Sequence, residues 1–227
     1  MRTFVYIDGF NLYYLRLKQQ RMFRWLNLKA LADEIVGAEH QIERVNFYTA
    51  RVSGKIDADA PRNQQIYLSA LGTVPEVKVH FGHFLFAERF SRLTLPPRTK
   101  PSDYRWNEPL PDRVSIPKVE EKGSDVNLAS HLVRDACQGV FEQALVISND
   151  TDLVEPIRIV AQEIGLPVSI VAPKRSRKND PPIPAPSLKA AASSTLYIDD
   201  HHLMAAQFPT TLQSAKGKAI TRPDKWQ

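Results

Sequence analysis

The sequence predicts an α/β fold built on a mostly parallel central sheet. Short apolar runs rich in β-branched and aromatic residues alternate with longer segments of helical spacing, the pattern of repeated βαβ units. Those runs are apolar at almost every position rather than at every second one, as strands covered on both faces are. On this basis residues 4–8, 44–49, 77–81, 144–148 and 168–171 read as strands, with helices between them at 11–18, 28–34, 63–71, 125–137 and 153–164. In the fourth helix Leu128, Leu132 and Val133, with Ala129 and Ala136, make an apolar stripe that docks on a sheet. Gly165 followed by Pro167 stops the fifth.

Two stretches break the alternation. Residues 84–118 hold Pro96, Pro97, Pro101, Pro109, Pro111 and Pro117, so an excursion across the surface is expected there, neither a central strand nor a long helix. Residues 174–187, KRSRKNDPPIPAPS, read as a flexible basic, proline-rich loop. A weak element follows at 196–199, then a short helix through Met204, and the chain from Lys216 onward reads as frayed. The organisation expected is one domain over 1–173, the loop at 174–187, further elements packing on the domain at 188–210, and a flexible basic tail at 211–227.

Composition narrows the classes. The 227 residues are 43% hydrophobic and 24% charged, enough for one sizeable core and too little charge bias for disorder. The lone Cys137 excludes an internal disulfide and a cysteine-based zinc site. No run approaches the roughly 18 apolar residues of a membrane span, and the start lacks a signal-peptide core, so a soluble, cytoplasmic protein without a membrane partner is expected. Net charge is +5, and it is uneven: 21 Lys/Arg face 21 Asp/Glu over 1–173, against 9 and 4 over 174–227. A second basic cluster, Arg16, Lys18, Arg21, Arg24 and Lys29, lies near the N-terminus. Such clusters suit a polyanion, and they equally suit a solvated surface.

A parallel sheet places ligands outside the carboxyl ends of its strands. There the sequence puts aspartates: Asp8 closes the first strand ahead of Gly9, and Asp150 and Asp152 follow the fourth in SNDTD, while Asp125 opens a helix after Gly123 and Ser124. Each alone reads as a helix-capping acid. Four converging carboxylates repel one another unless cations neutralise them, and oxygen ligands without a Cys or His cluster suit Mg²⁺ or Mn²⁺, ions able to hold a phosphodiester and activate water.

Three segments, YIDGFN, EKGSDVNLASHLVRDA and ALVISNDTDLVEPIRIV, resemble the signature blocks of the NYN domain, a PIN-like nuclease domain, and weaker similarity runs through FYTARV, PRNQQIYLSAL and VHFGHF. The resemblance covers most of 1–173. It implies a PIN-like, three-layer α/β/α fold and a Mg²⁺- or Mn²⁺-dependent ribonuclease, with Asp8, Asp125, Asp150 and Asp152 as catalytic metal ligands. Asn11, Ser148 and Asn149 would support them. One departure is His131, where many relatives carry a further aspartate; imidazole is a poor ligand for Mg²⁺ and a better one for Mn²⁺. His131 could equally pair with Asp135 one turn on.

The partner expected is single-stranded RNA, held by Arg62, Arg16, Arg21, Arg24, Lys174, Arg175, Arg177 and Lys178, with a homodimer left open. Arg51, His80 and His83 are weaker pocket candidates, and Tyr13, Tyr14, Phe23 and Trp25 could stack on bases or belong to the core. His201 and His202 read as a surface element. The competing readings are an RNA-binding adaptor that has lost activity, a haloacid-dehalogenase-type phosphatase, disfavoured by Phe10 where a second aspartate is needed, and a Toprim-type site, disfavoured by Asp8 where glutamate is expected.

Overall fold

Strand β1 (Arg2–Asp8) runs through the middle of the sheet, and its alternation divides the molecule into layers. Phe4 and Tyr6 pack into one core with Leu128, Leu132, Ile157 and Val160, whereas Val5 and Ile7 pack into the other with Leu28, Leu31, Leu71 and Leu203. The computed structural model describes residues 1–54, 57–93, 109, 111–173 and 183–226.

After β1 come α1 (Gly9–Leu12), α2 (Leu28–Val36), β2 (Gln41–Ala50), α3 (Ala60–Leu71), β3 (Val77–Arg92), β4 (Arg113–Lys122), α4 (Ser124–Cys137), β5 (Gln143–Ile147), α5 (Val154–Arg158), β6 (Val168–Ala172), α6 (Pro186–Ala191), β7 (Ser194–Tyr197), α7 (Asp200–Ala205), β8 (Thr211–Gln213) and β9 (Ala219–Thr221). The seven-stranded sheet has the order β4-β3-β2-β1-β5-β6-β7, and every pair is parallel except β3 with β4. Helices α4, α5 and α6 contribute to the core on the Phe4 face, and α2, α3 and α7 to the core on the Val5 face. The α/β class with a mostly parallel sheet flanked by helices is therefore present. The strand order reverses at β1 and β5, so their carboxyl ends flank the crevice where such sheets take ligands.

Several expectations need correction. β3 does not end near residue 81 and is not buried on both faces: it runs on to Arg92, leaves Phe86 and Phe90 exposed, and pairs antiparallel with β4. The stretch 84–118 thus contributes two strand segments in place of a plain excursion. β4 is the edge of the sheet, where the missing N–H of Pro117 is tolerated. The helix expected at 11–18 starts instead at Gly9, because the Asp8 side chain caps it by accepting from the Asn11 N–H at 2.9 Å, and it passes into a π-helical turn at Tyr13–Leu17. The helix expected at 153–164 is divided in the same way, into α5 and a π-helical segment Ile159–Ile164 that ends at Gly165, φ 82°. α6 begins inside the segment expected to be a loop; residues 174–182, with Lys174, Arg175, Arg177 and Lys178, lie outside the described residues.

Residues 211–226, read above as a flexible tail, form the β8–β9 hairpin and a final 3-10 turn, Asp224–Trp226. The anchor is aromatic. Trp25 is fully buried and donates its indole N–H to the Pro209 carbonyl at 2.8 Å, and its ring meets Trp226 at 6.3 Å while Trp226 meets Tyr67 at 5.9 Å. Among the described residues no helix is long and apolar enough to cross a membrane.

Trp226→Ala should therefore lower unfolding stability by about 2 kcal/mol, less than a fully buried aromatic because the ring is half-buried. Urea denaturation checks it, and an unchanged midpoint would show that the C-terminal turn does not pack.

Candidate functional site at the carboxyl edge

The carboxyl end of β1 brings a charge into the interior. Asp8 is 4% exposed, and both of its oxygens are used: Oδ1 accepts from the Asn11 N–H and Oδ2 from the Ser148 hydroxyl, each at 2.9 Å. Ser148 follows β5 and also accepts the Asp150 N–H at 3.1 Å, and the Asn11 side-chain oxygen accepts the Asn149 N–H at 2.9 Å. Asn149 in turn accepts the Ala185 N–H at 3.0 Å, which ties the approach to α6 into the same edge. Gly9 is required for this closure, because a Cβ there would sit 2.6 Å from the Tyr48 carbonyl oxygen.

Asp125 enters from the first turn of α4. Its position depends on a second close approach: Gly82 of β3 lies against Glu121 and the Lys122 carbonyl, where a Cβ would be 2.7 Å from the carbonyl oxygen. Glu121 accepts the Ser124 N–H at 3.2 Å and its hydroxyl at 2.6 Å, fixing the start of α4. Asp8, Asp125 and Asp150 each offer an oxygen within 4.8 Å of the others. Asp152 is exposed, and its N–H donates to Asp150 at 3.0 Å.

Burial and then crowding set the electrostatics. Burial pushes the Asp8 carboxyl up against the two hydrogen bonds that favour its ionised form. Asp125, half-buried, is pushed up to about 6, first by burial and then by the charges of Asp8, Asp150, Glu121 and Asp152. Three oxygens at this spacing could share a cation or a proton, and at neutral pH Asp125 is the group in position to exchange one.

His131 is not part of this triad. It sits further along α4, where its Nδ1 is 3.0 Å from the Tyr48 hydroxyl and its ring is 4.6 Å from that of His80. Asp135 takes the Tyr6 hydroxyl at 2.9 Å and Arg134 at 2.6 Å, in place of the pairing with His131 weighed above. Burial lowers both histidines, His80 to about 4, so both are neutral at pH 7. Sequence reading missed Tyr48, whose signal is register: Asp8, Tyr48 and His80 are direct neighbours across three parallel strands. It also missed Glu121, detectable as an acid three residues ahead of the serine that opens a helix.

The basic candidates are dispersed. Arg16 pairs with Asp200 and Gln20, and Arg24 donates to the Leu17 and Lys18 carbonyls. Arg21 is exposed on a 3-10 turn, and Arg62 is exposed on α3. Arg51 donates to Gln65 at 2.6 Å and lies over the Phe81 ring, and His83 is exposed on β3. Phe23 and Trp25 are core residues, leaving Tyr14 exposed and Tyr13 half-buried. Asp199, His201 and His202 also bring one ligand atom each within 4.8 Å, at the start of α7, where Asp199 and His202 cap one another's backbone.

No family model matches the chain. A curated relative, 6-hydroxy-3-succinoylpyridine 3-monooxygenase HspA of Pseudomonas putida, is 24% identical over an alignment 251 positions long, gaps included, which spans all of this chain and 75% of the relative. A solved chain of unknown function, VPA0982 of Vibrio parahaemolyticus, superposes with a TM-score of 0.48 at 16% identity, covering 88% of this chain and 93% of its own. The relative overturns the expected ribonuclease, the RNA-binding adaptor held as its alternative, and the Mg²⁺ or Mn²⁺ expected to serve hydrolysis. Hydrolysis moves no electrons, and a monooxygenase must move them.

Because Asp125 in the folded chain binds its proton more tightly than an ordinary carboxylate, ionising it opposes folding. Its unfavourable contribution is absent below about pH 4, grows as pH rises toward 6 and is complete above 7. Asp125→Asn should be more stable than the parent at pH 8 by on the order of 1 kcal/mol, after discounting for solvent at a half-exposed group, and no different at pH 4. Urea unfolding at the two pH values checks this; an equal difference at both would remove the charge crowding.

Proposed function

We propose that this chain is an oxidoreductase of the monooxygenase class acting on a hydroxylated nitrogen heteroaromatic ring. The observation that carries the reading is the 24% identity to 6-hydroxy-3-succinoylpyridine 3-monooxygenase along the whole length of this chain. In such a reaction one atom of dioxygen enters the ring and the other leaves as water, with two protons and two electrons from an external reductant.

The acid cluster suits the ring rather than the oxygen. Removing the proton of a ring hydroxyl makes the carbon framework electron-rich, which favours attack on an electrophilic oxygen. Asp125, titrating at about 6 and facing the crevice between β1 and β5, is ionised at pH 7 and is the base assigned to that proton. Asp8 and Asp150 keep its proton affinity raised, which makes it a stronger base than an isolated carboxylate. Asn11, Ser148 and Asn149 hold the two strand ends in register. The proposal extends to ancestry: a PIN-like scaffold related to the NYN domains, supported by the meeting of acids from the three quoted segments at one edge, with a different chemistry on it.

The test supplies purified protein with 6-hydroxy-3-succinoylpyridine, a nicotinamide reductant and ¹⁸O₂. Uptake of one labelled oxygen into the product is expected, with a kcat/KM that rises through about pH 6. Asp125→Asn should lower kcat at pH 7 by about 100-fold, the usual contribution of a positioned base. Unlabelled product, or a variant as fast as the parent, would overturn the reading.

A further inference from the structure

On the sheet face opposite to the one Asp8 occupies, α3 and the C-terminal hairpin enclose a cleft of about 660 Å³, within the size range of small-molecule sites. Its walls combine an apolar part with a surplus of positive charge. Ile66 and Ile220 belong to the Val5 core and form the apolar part. Arg62, Lys218, Arg222 and Lys225 line it, against the two carboxylates of Asp59 and Asp224. Asp59 is already held by Lys225 at 2.5 Å, so four basic side chains face two carboxylates of which one is engaged.

Arg222 bears most on what the cleft suits. Its Nε is enclosed by protein, out of a ligand's reach and without an acceptor among the described residues, while the residue also lines the cleft. A guanidinium is shaped to hold two oxygens of one planar or tetrahedral anion. With Arg62 and Lys218 lining the same cleft, the chemistry suits an oxyanion, and the isoleucines give room for an attached apolar body.

We propose that this cleft is a binding site for a small organic anion, a carboxylate or phosphate monoester joined to an apolar group. Arg222 donates to the head, Arg62 at the rim draws it in, and Ile66 and Ile220 cover the body. The site is independent of the carboxyl-edge acids and does not rest on the oxygenase reading.

Isothermal titration of the full chain with phenyl phosphate, benzoate, inorganic phosphate and phenol tests it. Phenyl phosphate or benzoate should bind more tightly than inorganic phosphate, and phenol should not bind. The tighter of the two aromatic anions distinguishes a phosphate ester from a carboxylate as the ligand head. Arg222→Met should weaken that binding by about tenfold or more, as loss of a charge-assisted hydrogen bond does. Since Arg222 is half-buried and its replacement can disturb the hairpin, the exposed Arg62→Ala supplies a second reading: weaker binding by about threefold with an unchanged melting temperature. Phenol binding as well as phenyl phosphate, no aromatic anion binding below about 10 mM, or affinities unchanged in both variants would overturn the proposal.

Discussion

A buried carboxylate at the end of the central strand is the constraint on which the carboxyl edge of this sheet depends. Taking Asp8 out of water is unfavourable unless donors replace the lost hydration, and the nearest parts of the chain supply them. The Asn11 N–H exists as a free donor because a helix starts there, and the Ser148 hydroxyl reaches Asp8 because β5 pairs beside β1. Gly9 lets the chain turn beneath the Tyr48 carbonyl without a clash. One charge thus sets the turn after β1, the residue after β5 and the start of α1.

The neighbouring acids make that edge a proton-binding device. Two unit charges about 4–5 Å apart interact by about 3–4 kcal/mol at the effective dielectric of a protein surface. A single charge-assisted hydrogen bond contributes about 1.5–3 kcal/mol, so donors alone do not cancel the repulsion among Asp8, Asp125 and Asp150. Burial first, and the neighbouring charges second, hold a proton longer on Asp125. The histidines beside Tyr48, one on β3 and one on α4, behave in the opposite sense. His80 and His131, stacked and tilted against Tyr48, stay neutral, so they add no positive charge that would quench the acids.

Much of this edge is legible in the sequence, because a buried strand followed by Asp-Gly or Ser-Asn-Asp leaves few other places for the carboxylate to point. The stripe of α4 is legible for the same local reason. His131 misleads: six residues from Asp125 it stands about 240° around the helix and about one and two-thirds turns along it, so it meets Tyr48 and not the triad. The β3–β4 arm is obscured by proline, which marks an edge strand as readily as a loop. The C-terminal hairpin is obscured by distance, since Pro209 and Trp226 find Trp25 some 184 residues or more away. Long-range aromatic packing has no local period to read.

What relieves crowded aspartates is a chemical question that residue spacing leaves open. A divalent ion and a shared proton both lower the repulsion, and both leave the same pattern of Asp at strand ends. The oxygenase reading proposed for this chain takes the shared proton as the relief. Under that proposal, a carboxyl pushed up to about 6 by burial and by its acidic neighbours is a stronger base than an isolated one and is still ionised at pH 7. The same acidic edge that reads as a hydrolytic metal cradle thus also offers, with the proton affinity of Asp125 raised, the base that the proposed ring oxygenation needs.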